Sequence, residues 1–357
     1  MRRKTRNVKV GGLFIGSDHP ISIQSMVNVP AQNTDAVLSE IERLSDSGCD
    51  IVRLAVPDEG SASVFSYARE RGIKTPLVAD IHFDHKLALL SVASGADKIR
   101  INPGNIGAEW KIREVAEACR ASGIPIRIGV NSGSVGAKIL EKYGGPTAGA
   151  LAESALSEAE SLEKYGFSDI VISIKSSSVP VMTEAVSIVA EKTYYPLHIG
   201  VTEAGDEYDG LIKNSVGIGA LISRGIGDTV RVSLTADPVA EVEAAKKILS
   251  ALGVSSRGGI NVISCPTCGR TKIDLLSVVN EYKKRIKGVD THGKQITAAV
   301  MGCAVNGPGE AREADFGVAG GDGFALFFVG GVPVEKIPED GIVDKLVEQT
   351  LSVIEKG

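Results

Sequence analysis

Short aliphatic runs alternate with amphipathic stretches through the first part of this chain. The aliphatic runs read ISIQSM (21–26), IVRLAV (51–56), PLVADI (76–81), KIRIN (98–102), IRIGVN (126–131), DIVISIK (169–175), PLHIGVT (196–202) and TVRVSL (229–234). Each is short and rich in branched aliphatic residues, the pattern of a strand buried on both faces. Between them, apolar residues recur at helical spacing, as in TDAVLSEIERLSDSG (34–48), AEWKIREVAEACRASG (108–123) and DPVAEVEAAKKILSALG (237–253). Several of these stretches end in glycine and a short turn, as in SGCD, SGAD and SGIP, the chemistry of a helix C-cap leading into a strand. Eight such strands alternating with helices over about 250 residues predict a TIM-type (β/α)8 barrel. An open doubly wound sheet would want a glycine-rich phosphate loop after its first strand, and GGLFIG (11–16) precedes it.

The pattern changes near residue 255. SSRGG (255–259) reads as a linker, and the remainder mixes strands, such as GINVIS and QITAAVMG, with two helices. GVAGGDGFALFFVGGVPV (317–334) reads as a glycine-punctuated hairpin. The chain therefore divides into a barrel over residues 1–254 and a small α+β domain over 260–357. That second domain carries Cys265 and Cys268 in CPTC and Cys303 in MGCAVNGPGE.

Three soft thiolates at this spacing suit a metal, and three is one short of a closed site. Cys49 and Cys119 lie in helix-like runs, so no obvious fourth cysteine completes the set. From the cysteines alone an iron–sulfur cluster, a zinc site and a thiol redox pair all remain open. A zinc ribbon would need a second CxxC pair, and a thioredoxin-like pair would leave Cys303 unexplained. Glu310 follows a Gly-Pro-Gly turn that can aim a carboxylate at the site; the bland alternative is a surface residue.

Composition narrows the classes. With 43% hydrophobic and 23% charged residues the chain reads as a soluble globular protein, and 41 glycines suit many strand-to-helix turns. A net charge of −5 argues against nucleic acid or an anionic membrane as main partner. The basic start MRRKTRNVKV leads into no apolar signal region, and no stretch approaches the length of a membrane span. Five cysteines without a secretory segment do not make a disulfide framework, so a cytoplasmic location is expected.

In a barrel the C-terminal strand ends face the active site. Those positions hold Gln24 and Ser25, Arg53, Asp80 and His82, Arg100 and Asn102, Arg127 and Asn131, Lys175, Glu203, and Arg231 with Ser233. Five cations converging in an acidic protein call for an anionic ligand, and arginine's planar fork suits phosphate. A small molecule with more than one phosphate is expected; the alternative is internal salt bridging to Asp80 and Glu203. His82, a lone histidine, reads as structural or as ligand-binding. Glu203 is the natural proton carrier, or else a charge partner for Lys175.

RLAVP, ADIHF, RINPGN, RIGVN, SIKSS, HIGVTEAG, SVGIG, IGDTVRVSLT, CPTCGR and MGCAVNGPGEA occur in that order. Together they resemble the bacterial 4-hydroxy-3-methylbut-2-enyl diphosphate synthase family of the methylerythritol phosphate pathway, in its short two-domain form. The resemblance implies reductive opening of 2-C-methyl-D-erythritol 2,4-cyclodiphosphate with loss of water, using electrons from flavodoxin or ferredoxin. It implies a [4Fe–4S] cluster on Cys265, Cys268, Cys303 and Glu310. Arg53, His82, Arg100, Asn102, Arg127, Asn131, Lys175, Arg231 and Ser233 would bind the substrate, and Glu203 would act as catalytic acid. It further implies a barrel like that of dihydropteroate synthase, a cluster domain like part of sulfite and nitrite reductases, and a homodimer in which one chain's cluster domain caps its partner's barrel. A non-redox barrel enzyme with a structural zinc, and an iron–sulfur sensor, are the competing classes.

Overall fold

The computed structural model describes residues 2–303 and 312–356. The chain forms two compact units, Met1–Val254 and Ser255–Gly357.

The larger unit opens with an antiparallel hairpin, β1 (Val8–Val10) and β2 (Leu13–Ile15). Its Val10 and Ile15 pack on Ile51 and Val78 and close the floor of the barrel. Eight parallel strands follow: β3 (Ser22–Met26), β4 (Ile51–Ala55), β5 (Leu77–Asp80), β6 (Lys98–Ile101), β7 (Ile126–Asn131), β8 (Ile170–Lys175), β9 (Leu197–Ile199) and β10 (Thr229–Val230). They close into a barrel, with β10 pairing β3 and β9 on either side. Each aliphatic run expected as a strand forms one. The runs are mostly buried because helices cover them outside and side chains fill them inside, which is why they lack an alternating pattern. The basic N-terminus is structural: Arg2 pairs with Asp228 at 2.7 Å, and Arg3 Nη2 donates to the Tyr195 carbonyl at 2.6 Å.

β10 is two residues long. Val232, Ser233 and Leu234 therefore run on beyond the sheet, and buried side chains rather than strand pairing hold them. Asn214, on the helix Glu207–Ile222, accepts the Val201 N–H at 3.2 Å and donates to the Ser233 carbonyl at 3.2 Å.

The smaller unit is a five-stranded sheet, β11 (Gly259–Ser264), β12 (Gln295–Met301), β13 (Phe316–Gly321), β14 (Phe324–Val329) and β15 (Val332–Pro338). The expected hairpin is a three-stranded antiparallel meander whose first strand also pairs parallel to β12. The first pair, β11 and β12, is also parallel and is linked through the helix Leu275–Arg285. Parallel neighbours end on the same side, so CPTC after β11 and Gly302–Cys303 after β12 leave the sheet together.

The helices Leu275–Arg285 and Ile342–Glu355 pack together through buried Tyr282, whose hydroxyl lies 2.7 Å from Thr350 Oγ1. Thr350 Oγ1 also donates to the Leu346 carbonyl at 2.7 Å. Thr350→Val would strand a buried phenol and cost about 1–3 kcal/mol, whereas Tyr282→Phe leaves Thr350 bonded and costs about 0.5–1.5 kcal/mol. Urea titrations of the two variants should rank them in that order; the reverse order would contradict this packing.

Candidate active site

One buried carboxylate organises the basic strand ends. Asp80 ends β5; Arg100 Nη1 donates to its Oδ1 at 3.0 Å, while Arg53 Nε and His82 Nε2 stand 3.7 and 3.5 Å from its Oδ2. Burial works to raise the Asp80 pKa, but Arg53, the His82 hydrogen bond and Arg100 outweigh it and hold the carboxyl well below the ordinary range. Burial pushes Arg53 down to about 10, still far above neutrality, so the pair stays ionic. Arg53 also donates to Met26 Sδ at 2.8 Å.

Arg100 reaches Asp80 by lying across β7. Its Nη2 donates to the Gly129 carbonyl at 3.3 Å, and a Cβ at 129 would stand 2.5 Å from Arg100 Nε, so a side chain there would displace the guanidinium. Asn102 Nδ2 meets the same carbonyl at 3.4 Å, and its Oδ1 accepts the Asn105 N–H at 3.3 Å, capping the turn that follows β6.

The second carboxylate is Glu241, on the helix Pro238–Ala251. Arg231 donates to it through Nε and Nη2 at 3.3–3.4 Å. Salt bridging to Glu203, the expected alternative, is not what the structure holds. Glu203 is exposed in the loop after β9 and makes no ion pair among the described residues. Its φ of +52° is unusual for a non-glycine residue and marks a strained strand-end loop. The electrostatic partner felt by Lys175 is Glu241.

Arg127 requires a correction of position. It is the second residue of β7, 1% exposed, and lies inside the barrel rather than at its rim. Its guanidinium makes one hydrogen bond among the described residues, from Nη1 to Gln24 Oε1 at 3.4 Å, leaving buried Nε without a partner there. Lys175 ends β8 and is buried, and its side chain has no hydrogen bond or ion pair among the described residues. Burial, then Arg231, Arg53 and Arg127, push its pKa well below the ordinary 10.5. Asn131 closes β7, where its N–H donates to Ser134 Oγ at 2.9 Å, and Ser233 is half-buried past β10. His82 is half-exposed at the rim.

The barrel interior holds two further basic groups that a reading of strand ends misses. Among the described residues Lys98 Nζ has no hydrogen-bond partner, and His198 Nδ1 lies 2.6 Å from Thr229 Oγ1 while its Nε2 has none. Burial, followed by the neighbouring cations, lowers the pKa of both. The signal lay in KIRI: Lys98 and Arg100 alternate, so both face inward. Barrel cores of this kind are normally filled with branched aliphatics, and this one is basic in the middle.

In the smaller unit, Gly302 N–H donates to Cys265 Sγ at 3.2 Å and the Lys272 N–H to the Gly302 carbonyl at 2.8 Å. A Cβ at 302 would press within 2.9 Å of Thr271, so glycine lets the CPTC turn close on β12. Cys303 is buried, Cys265 half-buried and Cys268 exposed. A backbone hydrogen bond from Arg270 lowers the Cys268 pKa and favours its thiolate. Among the described residues no three metal-ligating side chains are gathered into a metal site. Glu310 lies outside the described residues. The donor chemistry nonetheless fits an iron–sulfur group: thiols, one of them already taking a backbone N–H, in an apolar setting of Met301, Ala314, Ala319 and Phe328.

Fold and side chains together define a (β/α)8-barrel protein with a cation-rich strand-end site, joined to a small α+β unit bearing a thiol cluster motif. Family models described as the GcpE TIM-barrel domain and the GcpE protein C-terminal domain match residues 5–246 and 261–352. The chain belongs to the GcpE family. It is 52% identical over 347 residues to the 4-hydroxy-3-methylbut-2-en-1-yl diphosphate synthase (flavodoxin) of Symbiobacterium thermophilum, covering 97% of this chain and 92% of that one. It is 50% identical to the protein of the same name from Clostridium tetani, covering 99% of both. Among solved structures it resembles dihydropteroate synthase from Stenotrophomonas maltophilia (TM-score 0.51, 16% identity, 70% of this chain and 98% of that one). A type I 3-dehydroquinate dehydratase from Clostridium difficile is similarly placed (TM-score 0.52, 15% identity, 70% and 98%). At such identities the likeness is one of fold, and the barrel expected from strand count is borne out.

Replacing the uncompensated Lys175 with Met should stabilise the ligand-free fold by about 1–3 kcal/mol at neutral pH. The folded pKa lies below the unfolded one, so the unfolded chain binds more protons between them. Stability from this site therefore rises with pH across that window, and Lys175→Met should flatten the rise. Denaturant titrations at several pH values test this; destabilisation by the Met variant would mean that Lys175 is a satisfied structural cation.

Proposed function

We propose that this chain reductively opens 2-C-methyl-D-erythritol 2,4-cyclodiphosphate and expels water, giving 4-hydroxy-3-methylbut-2-enyl diphosphate. Two electrons and two protons enter and one water leaves, so the reaction balances. The observation that carries the reading is the charge count in the barrel. Arg53, Arg100, Arg127, Lys175 and Arg231 face two buried carboxylates, Asp80 and Glu241, and a bridged pair of phosphates supplies the missing negative charge.

In this reading Asp80 fixes Arg53 and Arg100 before substrate arrives, so the guanidiniums need little reorganisation on binding. Lys175 and Arg127, lacking carboxylates of their own, take the phosphate oxygens. His82, Asn102, Asn131 and Ser233 supply neutral hydrogen bonds around the ring. Glu203, exposed and without an ion-pair partner among the described residues, carries the proton given to the departing hydroxyl.

Cys265, Cys268, Cys303 and Glu310 would hold a [4Fe–4S] cluster. When bound, such a cluster supplies electrons singly and an iron with Lewis-acid character. The backbone N–H on Cys265 and the favoured Cys268 thiolate suit those residues to ligate it. Flavodoxin is the electron donor favoured by the relatives' names. The exposed stripe of Tyr208, Leu211, Ile212 and Val216 along one helix supports a homodimer, in which one chain's cluster unit serves its partner's barrel. No helix among the described residues is long and apolar enough to cross a membrane, and the free cysteines suit the reducing cytoplasm.

Anaerobically purified protein should contain iron and acid-labile sulfide, and should convert the cyclic diphosphate with reduced flavodoxin. A colourless zinc protein that needs no electron donor would contradict the assignment. Glu203→Gln should lower kcat about 10²-fold or more with KM within a few fold; unchanged kcat in a cluster-loaded variant would remove Glu203 from the proton path.

A further inference from the structure

β10 ends at Val230, and the last lateral backbone bond of the seam runs from the Arg231 N–H to the Ile199 carbonyl at 3.0 Å, so side chains must hold the segment beyond it. Glu241 shares that task with Asn214, which donates to the Ser233 carbonyl at 3.2 Å. Glu241 is 4% exposed, and its carboxylate gathers four donors from two ends of the barrel seam. Ser25 Oγ, on β3, donates to Oε2 at 2.8 Å. The Leu234 N–H donates to Oε1 at 3.1 Å. Arg231 approaches both oxygens through Nε and Nη2 at 3.3–3.4 Å. The two shorter bonds anchor the carboxylate to β3 and to the far end of the Arg231–Leu234 segment. The longer contacts orient the guanidinium without saturating it, and its Nη1 group, which has no hydrogen bond among the described residues, can meet an anion.

We propose that Glu241 is a positioning residue for the reaction: it holds Arg231 in the geometry that grips a phosphate of the substrate. This rests on the reading of Arg231 as part of the phosphate clamp. Glu241 itself does not touch the substrate. It acts through Arg231, as Asp80 acts through Arg53 and Arg100, and each basic group so held has its direction set before binding. A helix glutamate in DPVAEVEAAKK carries no mark of this in the sequence, since a polar residue on an amphipathic helix reads as solvent-facing.

The test is a double-mutant cycle on the cluster-loaded enzyme with reduced flavodoxin and the cyclic diphosphate, with iron content and Tm measured on every variant. Glu241→Gln should raise KM about tenfold while kcat stays within threefold. Arg231→Met should raise KM by at least as much. In the Arg231→Met background, Glu241→Gln should add less than twofold, because the residue it positions is gone. A folded Glu241→Gln enzyme with KM within twofold of the parent would overturn the proposal. So would a full tenfold effect persisting in the Arg231→Met background, which is the mark of a general structural role. If Glu241→Gln fails to fold, Glu241→Asp runs the same cycle: a severalfold KM rise that vanishes with Arg231→Met supports positioning, and an undiminished rise refutes it. An Arg231→Met enzyme with normal KM would instead strike the assignment of Arg231 to the clamp.

Discussion

The rest of this molecule depends on a charge imbalance kept in place by burial. An acidic chain concentrates five cations at and inside its barrel and spends two buried carboxylates, Asp80 and Glu241, on orienting three of them. Arg127 and Lys175 are left over, with Lys98 and His198 below them. Such an interior is expensive without a ligand, because each uncompensated cation gives up its hydration. It persists because the surrounding barrel is otherwise an aliphatic core of ordinary size, whose burial offsets a few costly groups. Function is stored here as an unmet electrostatic demand.

The two units divide the chemistry along lines that topology explains. In the barrel, parallel strands deliver most of the functional side chains to one end; Asp80, ending β5, steers Arg53 and Arg100, and the helix-borne Glu241 steers Arg231. In the smaller unit, the parallel pair β11 and β12 does the same on a smaller scale, bringing CPTC beside Gly302 and Cys303. Glycine is decisive at both places. Gly129 lets Arg100 lie against β7, and Gly302 lets Thr271 close over β12.

Much of the fold was legible because buried parallel strands write themselves as uninterrupted aliphatic runs, from IVRLAV to DIVISIK. Cysteine spacing pointed to a metal or redox site without choosing between them, and the ordered motifs exposed the family. Depth was harder to read. Arg127 is the second residue of β7 and Lys98 the first of β6, so both lie below the rim, and only the alternation K-I-R-I betrays that Lys98 faces inward. Glu241 was invisible for a different reason: its partners, Ser25, Arg231 and Leu234, are brought together by barrel closure between β10 and β3. The hairpin under the barrel floor was equally hidden, because its two three-residue strands carry too few residues for a periodic signal.

If a phosphate-bearing ligand completes the barrel's charge, calorimetric titration of the cluster-loaded protein with the cyclic diphosphate will register it. In buffers of different ionisation enthalpy, and over a range of pH and salt, the unmet charge predicts proton uptake in the window between the lowered pKa of ligand-free Lys175 and its higher value beside the bound anion. It also predicts affinity that falls as salt rises. Binding with no proton exchange and no salt dependence would mean that the cations are already satisfied within the protein, and would contradict it.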